Sequence, residues 1–182
     1  MGDQTLLANT TTRNSAFGSH ALYSTITGSD NAAFGNNALE NNLVSSNVAF
    51  GSFSLNKNTG TYDNVAIGVK ANYNGAGLTA SGRNTAVGYY ALYANNPSNG
   101  VNGVGNTAIG AYALQDNTTG YNCTVFGHSA SKSNLTGVYN VVIGNNALFT
   151  STDGNSNTVV GSSAGYNNNL NGQSIMIGYN AG

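Results

Sequence analysis

The stretch NTAIGAYAL, residues 106–114, contains the pattern that decides the fold. It begins with asparagine, continues through a short run of small and β-branched residues, and reaches Gly110. Short β-branched runs bounded by asparagine and glycine are typical of strands, and glycine permits a positive φ or a tight bend. We therefore predict a short strand, a glycine turn, and then a second short strand or a return segment.

The same unit recurs along the chain as N-x-a-Φ-G-x-x-A-[LG], where a is small and Φ is Val, Ile or Phe. Its glycines are Gly18, Gly35, Gly51, Gly68, Gly88, Gly110, Gly127, Gly144, Gly161 and Gly178. Subtracting successive positions gives an interval of 17 in six of nine cases, and intervals of 16, 20 and 22 in the other three. The two long intervals contain polar or glycine-rich stretches at 74–82 and 95–105, which predict enlarged loops on one side.

A unit of this length cannot bury a core alone, so successive units must stack with their strands parallel. We predict an all-β chain, a parallel β-solenoid (β-roll or β-helix) of ten coils over residues 14–182, after an N-terminal lead-in at 1–13. A strand spacing of about 4.8 Å gives a stack about 48 Å long. A helical fold is disfavoured, because Gly, Asn, Thr and Ser dominate and no apolar stripe of helical period persists.

Asparagine stands at the head of most units, where stacking superposes one carboxamide on the next. Such side chains form hydrogen-bonded ladders along the axis of a stacked sheet. We expect the ladder to weaken at Cys123 and Ser174, which replace asparagine.

The strands are apolar on both faces, which constrains how the coils assemble. The large residue before each glycine is expected to fill the core, and these are Phe17, Phe34, Phe50, Ile67, Val87, Ile109, Phe126, Ile143, Val160 and Ile177. The preceding residue, on the opposite face, is alanine in the first six units and Val or Met in the last four. We expect neighbouring chains to cover this alanine column. The alternative is a wider coil that buries both faces within one chain.

Composition excludes several functional classes. Charged residues make up 6% of the chain, and five basic residues against six acidic ones leave no basic stripe for nucleic acid. The single Cys123 cannot form an intrachain disulfide. Neither a signal peptide nor a membrane-spanning run is visible, so membrane insertion is not expected. The sequence stops inside a unit, and we expect a fragment of a longer chain.

No catalytic constellation is recognisable. His20 and His128 are six coils apart, and the acids, including Asp30 and Asp63, are scattered at turns. Repeats of the calcium-binding type G-G-x-G-x-D are absent. We predict no catalytic residue, no metal and no cofactor, and hence no enzyme. A polysaccharide-cleaving solenoid and an ice-binding solenoid with a flat threonine array remain alternatives.

Four tyrosines cluster in the two units that carry the enlarged loops: Tyr89, Tyr90, Tyr93 and Tyr112. Tyrosine suits contact with carbohydrate or protein, because its body is apolar and its tip is polar. We predict a binding site there. The alternative is that these rings pack over the loops or across a subunit seam.

The units NVAIG (64–68) and NTAIG (106–110) resemble the head repeats of YadA-like trimeric autotransporter adhesins, and similar repeats occur in phage tail fibres. The resemblance covers residues 14–182 and implies a homotrimer of parallel β-rolls used for attachment to a host surface glycan or protein. The period is longer than in the adhesin heads, and neither a heptad stalk nor a membrane anchor is present. The prediction is therefore a structural and adhesive fibre of a phage tail, capsid or injection system, located on a virion or an extracellular surface. A cell-surface trimeric adhesin head is the alternative.

Overall fold

The computed structural model describes residues 4–6, 11–75, 80–96, 102–169 and 172–182, and it is an all-β parallel solenoid of about nine turns. Ten three-residue strands form one sheet, and a pair of two-residue strands forms a second. The strands are β1 Ser15–Phe17, β2 Ala32–Phe34, β3 Val48–Phe50, β4 Thr61–Tyr62, β5 Val65–Ile67, β6 Ala80–Ser81, β7 Thr85–Val87, β8 Thr107–Ile109, β9 Thr124–Phe126, β10 Val141–Ile143, β11 Thr158–Val160 and β12 Ile175–Ile177.

Each strand of the large sheet pairs in parallel with its counterpart in the next coil, in the register that the repeat predicts. Phe17 pairs with Phe34, and Phe34 with Phe50, so equal positions of the unit lie above one another. The small sheet pairs β4 with β6 beside the first enlarged loop. The central residues of the two predicted loops, 76–79 and 97–101, lie outside the described residues.

The segment after each glycine is a return turn and not a second strand. In the unit of Gly110, the glycine has φ 133°, and Tyr112 and Leu114 have φ 61° and 49°. Two left-handed residues so close together reverse the chain without extended backbone. Of the two possibilities that the sequence left open, the structure has the return segment.

The core is the reverse of the predicted one, because the coil closes over the small face of the strand. Ala33, Ala66, Ala108 and Val142 are fully buried, whereas Phe50 before the glycine is 58% exposed. Alanine and leucine, three and four positions after the glycine, pack against the small column, for example Ala21 and Leu22, Ala91 and Leu92, and Ala113 and Leu114. These alanines and leucines fill the interior against the small column, so the large residues on the opposite face of each strand lie outside.

The asparagine ladder joins each coil to the next through the backbone. Asn31 Oδ1 accepts from the backbone N–H of Asn47 at 3.0 Å, and Asn47 Oδ1 accepts from that of Asn64 at 3.1 Å. The same bond recurs as far as Cys123, whose backbone N–H donates to Asn106 Oδ1 at 3.0 Å. Cys123 has no carbonyl oxygen in its side chain to continue the series.

A second buried asparagine column, seven positions after the glycine, was not predicted. Asn134 Nδ2 donates to Asn117 Oδ1 at 2.8 Å, and Asn117 Nδ2 donates to Asn95 Oδ1 at 3.1 Å. The two columns also share acceptors: Asn106 and Asn117 both donate to the carbonyl oxygen of Gly120, at 2.9 and 3.0 Å. Buried amides thus stabilise the loops without any charge.

Candidate functional site

The first candidate site is the outward face of the large sheet. The ten large residues that precede the unit glycines form one continuous column there, which we call the apolar stripe: Phe17, Phe34, Phe50, Ile67, Val87, Ile109, Phe126, Ile143, Val160 and Ile177. Seven of the ten are at least 38% exposed. The alternation of side chains along a strand puts this column outside once the small column is inside.

The stripe is ordered and uncharged. The ring centroids of Phe17 and Phe34 are 6.4 Å apart, and those of Phe34 and Phe50 are 5.6 Å apart, both pairs being stacked. Gly35 and Gly51 lie beside these rings and form the floor of an open apolar depression. The other outward position of each strand, two positions earlier, is Ser, Ala, Val, Thr or Ile and also carries no charge.

The second candidate site contains the four predicted tyrosines, which the structure brings together in one patch. Tyr90 and Tyr93 are stacked with centroids 4.7 Å apart, and Tyr89 lies 4.5 Å from Tyr90. Tyr112 meets Tyr89 edge-on at 5.4 Å. Tyr73, which the sequence prediction missed, extends the patch by stacking on Tyr93 at 5.2 Å.

Two lysines border these rings and were also missed. Lys70 Nζ donates to the hydroxyl of Tyr90 at 2.8 Å and lies 5.0 Å from the centre of that ring. Lys57 Nζ lies 5.1 Å from the centre of the Tyr73 ring. The hydrogen bond to Tyr90 raises the pKa of Lys70. We call the five tyrosines with Lys57 and Lys70 the tyrosine–lysine surface.

The periodicity of the unit could have revealed the missed members. Tyr73 and Tyr93 both lie five positions after a unit glycine, and Lys70 and Tyr90 both lie two positions after one. Equal positions stack in neighbouring coils, so these side chains meet although a whole repeat separates them in the sequence.

A polar groove lies on another side, next to the second enlarged loop. It is lined by Arg83, Asn102, Asn122, Tyr121 and Tyr139, among others, and the two tyrosine rings meet edge-on at 5.4 Å. A hydrogen bond with Tyr139 raises the pKa of Tyr121. No catalytic pair of side chains is recognisable among these residues.

The titratable groups considered from the sequence lie apart. His20 hydrogen-bonds Ser19 Oγ at 3.0 Å, and His128 packs edge-on against Tyr112 at 5.8 Å. Asp30 accepts a hydrogen bond from Arg13, and this bond lowers the pKa of the Asp30 carboxyl group. The general acid of a glycosidase needs a raised pKa instead. Over the described ranges, no group of three His, Cys, Asp or Glu side chains is placed to hold a metal ion.

Burial raises the pKa of the Cys123 thiol, and hydrogen bonds with Asn140 act in the opposite direction. The side chain lies inside the coil and is a core residue in this structure. No helix in the described part of the chain has the length and hydropathy needed to cross a bilayer. Comparison with protein-family models, with curated proteins and with solved structures finds no match to this chain.

Proposed function

We propose that the chain is a structural and adhesive fibre segment that assembles side by side with copies of itself through the apolar stripe. The single observation that supports this is that a solenoid with a filled core still carries a continuous uncharged column of Phe, Ile and Val outside. Soluble monomers rarely leave so long an apolar surface open to water.

A second copy of the chain is the partner that fits the stripe. The side chains of the stripe repeat at the strand spacing of about 4.8 Å, and only another parallel stack repeats at the same interval over its whole length. The glycines beside the phenylalanine rings have no side chain and leave room for a second sheet to approach there. Three copies around one axis are the number that the resemblance to trimeric heads implies.

Assembly needs the whole length of the stripe. Roughly half of each large side chain remains to be buried, so each contributes on the order of 1 kcal/mol. The stripe residues of two or three strands would not offset an association cost of about 4–15 kcal/mol, whereas those of all ten strands in each of three chains would. A long stack of identical coils is therefore a physical requirement of this interface, and it gives the assembly the shape of a fibre.

Attachment is the second part of the proposal, with the tyrosine–lysine surface as the contact with a host glycan or protein. The assembly acts without catalysis, metal or cofactor, on a virion fibre or an extracellular surface, and a phage or injection-system fibre is preferred over a cell-surface adhesin head. The paired state of Asp30 and the separation of the two histidines support the non-enzymatic function.

The assembly is tested by placing one charge on the stripe and one elsewhere. Ile67 and Leu135 are both 41% exposed, but Ile67 belongs to the stripe and Leu135 to a loop after β9. We expect Ile67→Asp to yield single chains, because a buried unpaired carboxylate costs several kcal/mol at each interface. Leu135→Asp should keep the mass of the unmodified protein in sedimentation equilibrium.

Ile67→Thr serves as the second variant, since it keeps a β-branched residue in the strand while removing apolar surface. Circular dichroism of each variant reports whether the coil is intact. A folded Ile67→Asp protein with the same mass as Leu135→Asp would refute assembly through the stripe.

A further inference from the structure

The tyrosine–lysine surface carries positive charge that the protein itself does not neutralise. Among the described residues there is one ion pair, between Arg13 and Asp30. Neither Lys57 nor Lys70 is paired with a carboxylate there. The groups that raise the pKa of Lys70 are the hydroxyl of Tyr90, which accepts its hydrogen bond, and the nearby hydroxyls of Tyr93 and Tyr73.

Glu40, the acid at the same position of the unit as Tyr73, is already hydrogen-bonded to another side chain. Glu40 occupies the position of Tyr73 two units earlier, and its carboxylate accepts a hydrogen bond from Asn56 Nδ2 at 2.8 Å. The ammonium of Lys70 uses one N–H for Tyr90 and retains two for a ligand.

The lysines are held in place by the rings beside them. Lys57 and Lys70 lie 5.1 and 5.9 Å from the centre of the same Tyr73 ring, and Lys70 also lies 5.0 Å from the ring of Tyr90. Cation–π contacts and the bond to the Tyr90 hydroxyl restrict a side chain that would otherwise sample many rotamers. Binding of an anion therefore costs less side-chain conformational entropy, because these two lysines are already partly ordered.

The rings supply the second half of a recognition surface. Tyr73 stacks on Tyr93, and Tyr93 stacks on Tyr90, with interplanar angles of 10° and 27°, so the three rings form one continuous stack across two coils. Tyr89, whose ring lies 4.5 Å from that of Tyr90, is 46% exposed and offers an apolar surface to the C–H face of a sugar. The phenol hydroxyls can hydrogen-bond sugar hydroxyls.

From these observations we infer that the tyrosine–lysine surface binds acidic polysaccharide, with a sugar face on the exposed ring of Tyr89 and a sugar carboxylate paired to Lys70. The inference rests on the proposed attachment function and adds to it the chemical class of the receptor. A charge-assisted bond between ammonium and carboxylate supplies the preference for acidic over neutral chains. Lys57, whose Nζ lies 5.1 Å from the centre of the Tyr73 ring, receives a second carboxylate further along the same polysaccharide chain.

The test is isothermal titration calorimetry with polygalacturonate, alginate and polysialic acid, each compared with its carboxyl-reduced form. We expect at least one acidic member to bind the intact protein about tenfold more tightly than its reduced counterpart, which is the value of one charge-assisted bond. Binding should weaken as salt is raised. No preference for the acidic member in any of the three pairs overturns the inference.

Lys132 provides the matched control, because its Nζ also lies over an aromatic ring, 5.6 Å from the centre of Phe149, but outside this surface. Lys70→Gln should remove the preference for the acidic chain, whereas Lys132→Gln should leave it unchanged. Equal losses in the two variants would mean non-specific attraction and would also overturn the inference.

Solution mass measured on the same samples separates this inference from the proposed assembly. An assembled protein without acid preference contradicts only the receptor class, whereas a single chain contradicts the assembly itself. If Lys70→Gln lowers the mass, Lys70 belongs to a subunit seam, and the binding site is refuted.

Discussion

At the scale of single residues, the coil depends on backbone conformations that most L-residues avoid. Leu22, Leu39, Leu92 and Leu114 have φ between 49° and 54°, although a left-handed leucine costs about 1–2 kcal/mol. Each of these leucines is fully buried, so its burial of about 1.5–3 kcal/mol offsets the strain. β-Branched residues, for which the left-handed region is worst, are absent from this position in all ten units.

The unit glycines are fixed by two constraints at once, and Gly110 shows both. Its φ is 133°, and a Cβ there would lie 2.4 Å from the carbonyl oxygen of Gly127 in the next coil. Gly110→Ala should therefore lower stability by more than about 4 kcal/mol, since neither the strain nor the backbone contact can relax locally.

Gly75 is the control for Gly110, because a Cβ there would make only ordinary contacts at 3.4 Å and its φ is not left-handed. Gly75→Ala should change stability by less than about 1 kcal/mol. Urea unfolding midpoints measure the stability of both variants. Equal losses of stability would contradict the close stacking of successive coils at the unit glycines.

At the scale of the structural element, the asparagine ladder joins successive coils through buried hydrogen bonds, whereas the one ion pair among the described residues, Arg13 with Asp30, is exposed. Asn140 Oδ1 accepts from the backbone N–H of Asn157 at 3.0 Å, and Asn157 Oδ1 accepts from that of Ser174 at 3.0 Å. Cys123 interrupts the series between Asn106 and Asn140, because a thiol is a weaker acceptor than a carboxamide oxygen.

Cys123→Asn should repair the ladder. Its carboxamide would accept from the backbone N–H of Asn140 and would donate to the carbonyl of Gly137, which Cys123 Sγ already contacts at 3.4 Å. One added buried hydrogen bond is worth about 1 kcal/mol, or a rise in Tm of about 2–4 °C.

Differential scanning calorimetry measures this rise, with Cys123→Ala as the companion variant that removes the sulfur and adds no amide. Cys123→Ala should melt below the unmodified protein. A Tm for Cys123→Asn at or below that of Cys123→Ala would contradict the ladder as a source of stability.

The sequence predicted the elements well, because period, strand residues and stacking all follow from one repeated unit. It predicted the wrong core face, because alternation separates Ala108 from Ile109 but does not tell over which of them the chain returns. That choice is made by the left-handed residues Tyr112 and Leu114, whose side chains give no local signal of positive φ.

The candidate site was predicted in part for a related reason. Tyr89 and Tyr90 are neighbours in sequence and were found by proximity. Lys70 reaches Tyr90, and Tyr73 reaches Tyr93, only through stacking of the coils. Lys70 would have been found if the polar positions of the units had been aligned as well as the apolar ones.

At the scale of the whole molecule, the solenoid carries two distinct sets of outward side chains, the apolar stripe and the tyrosine–lysine surface. The interior is complete without the stripe, since Ala, Leu, Val and Asn fill it. We propose that contact with further chains covers the ten large residues outside this core, and this contact is the central proposal about the protein.

The mass of the unmodified protein in solution tests that claim most directly, by light scattering coupled to size-exclusion chromatography. The account predicts a species of three times the chain mass of 18.5 kDa, which persists on dilution to low micromolar concentration. A stable, folded species of 18.5 kDa would contradict the account, because the stripe would then be open to water along its whole length.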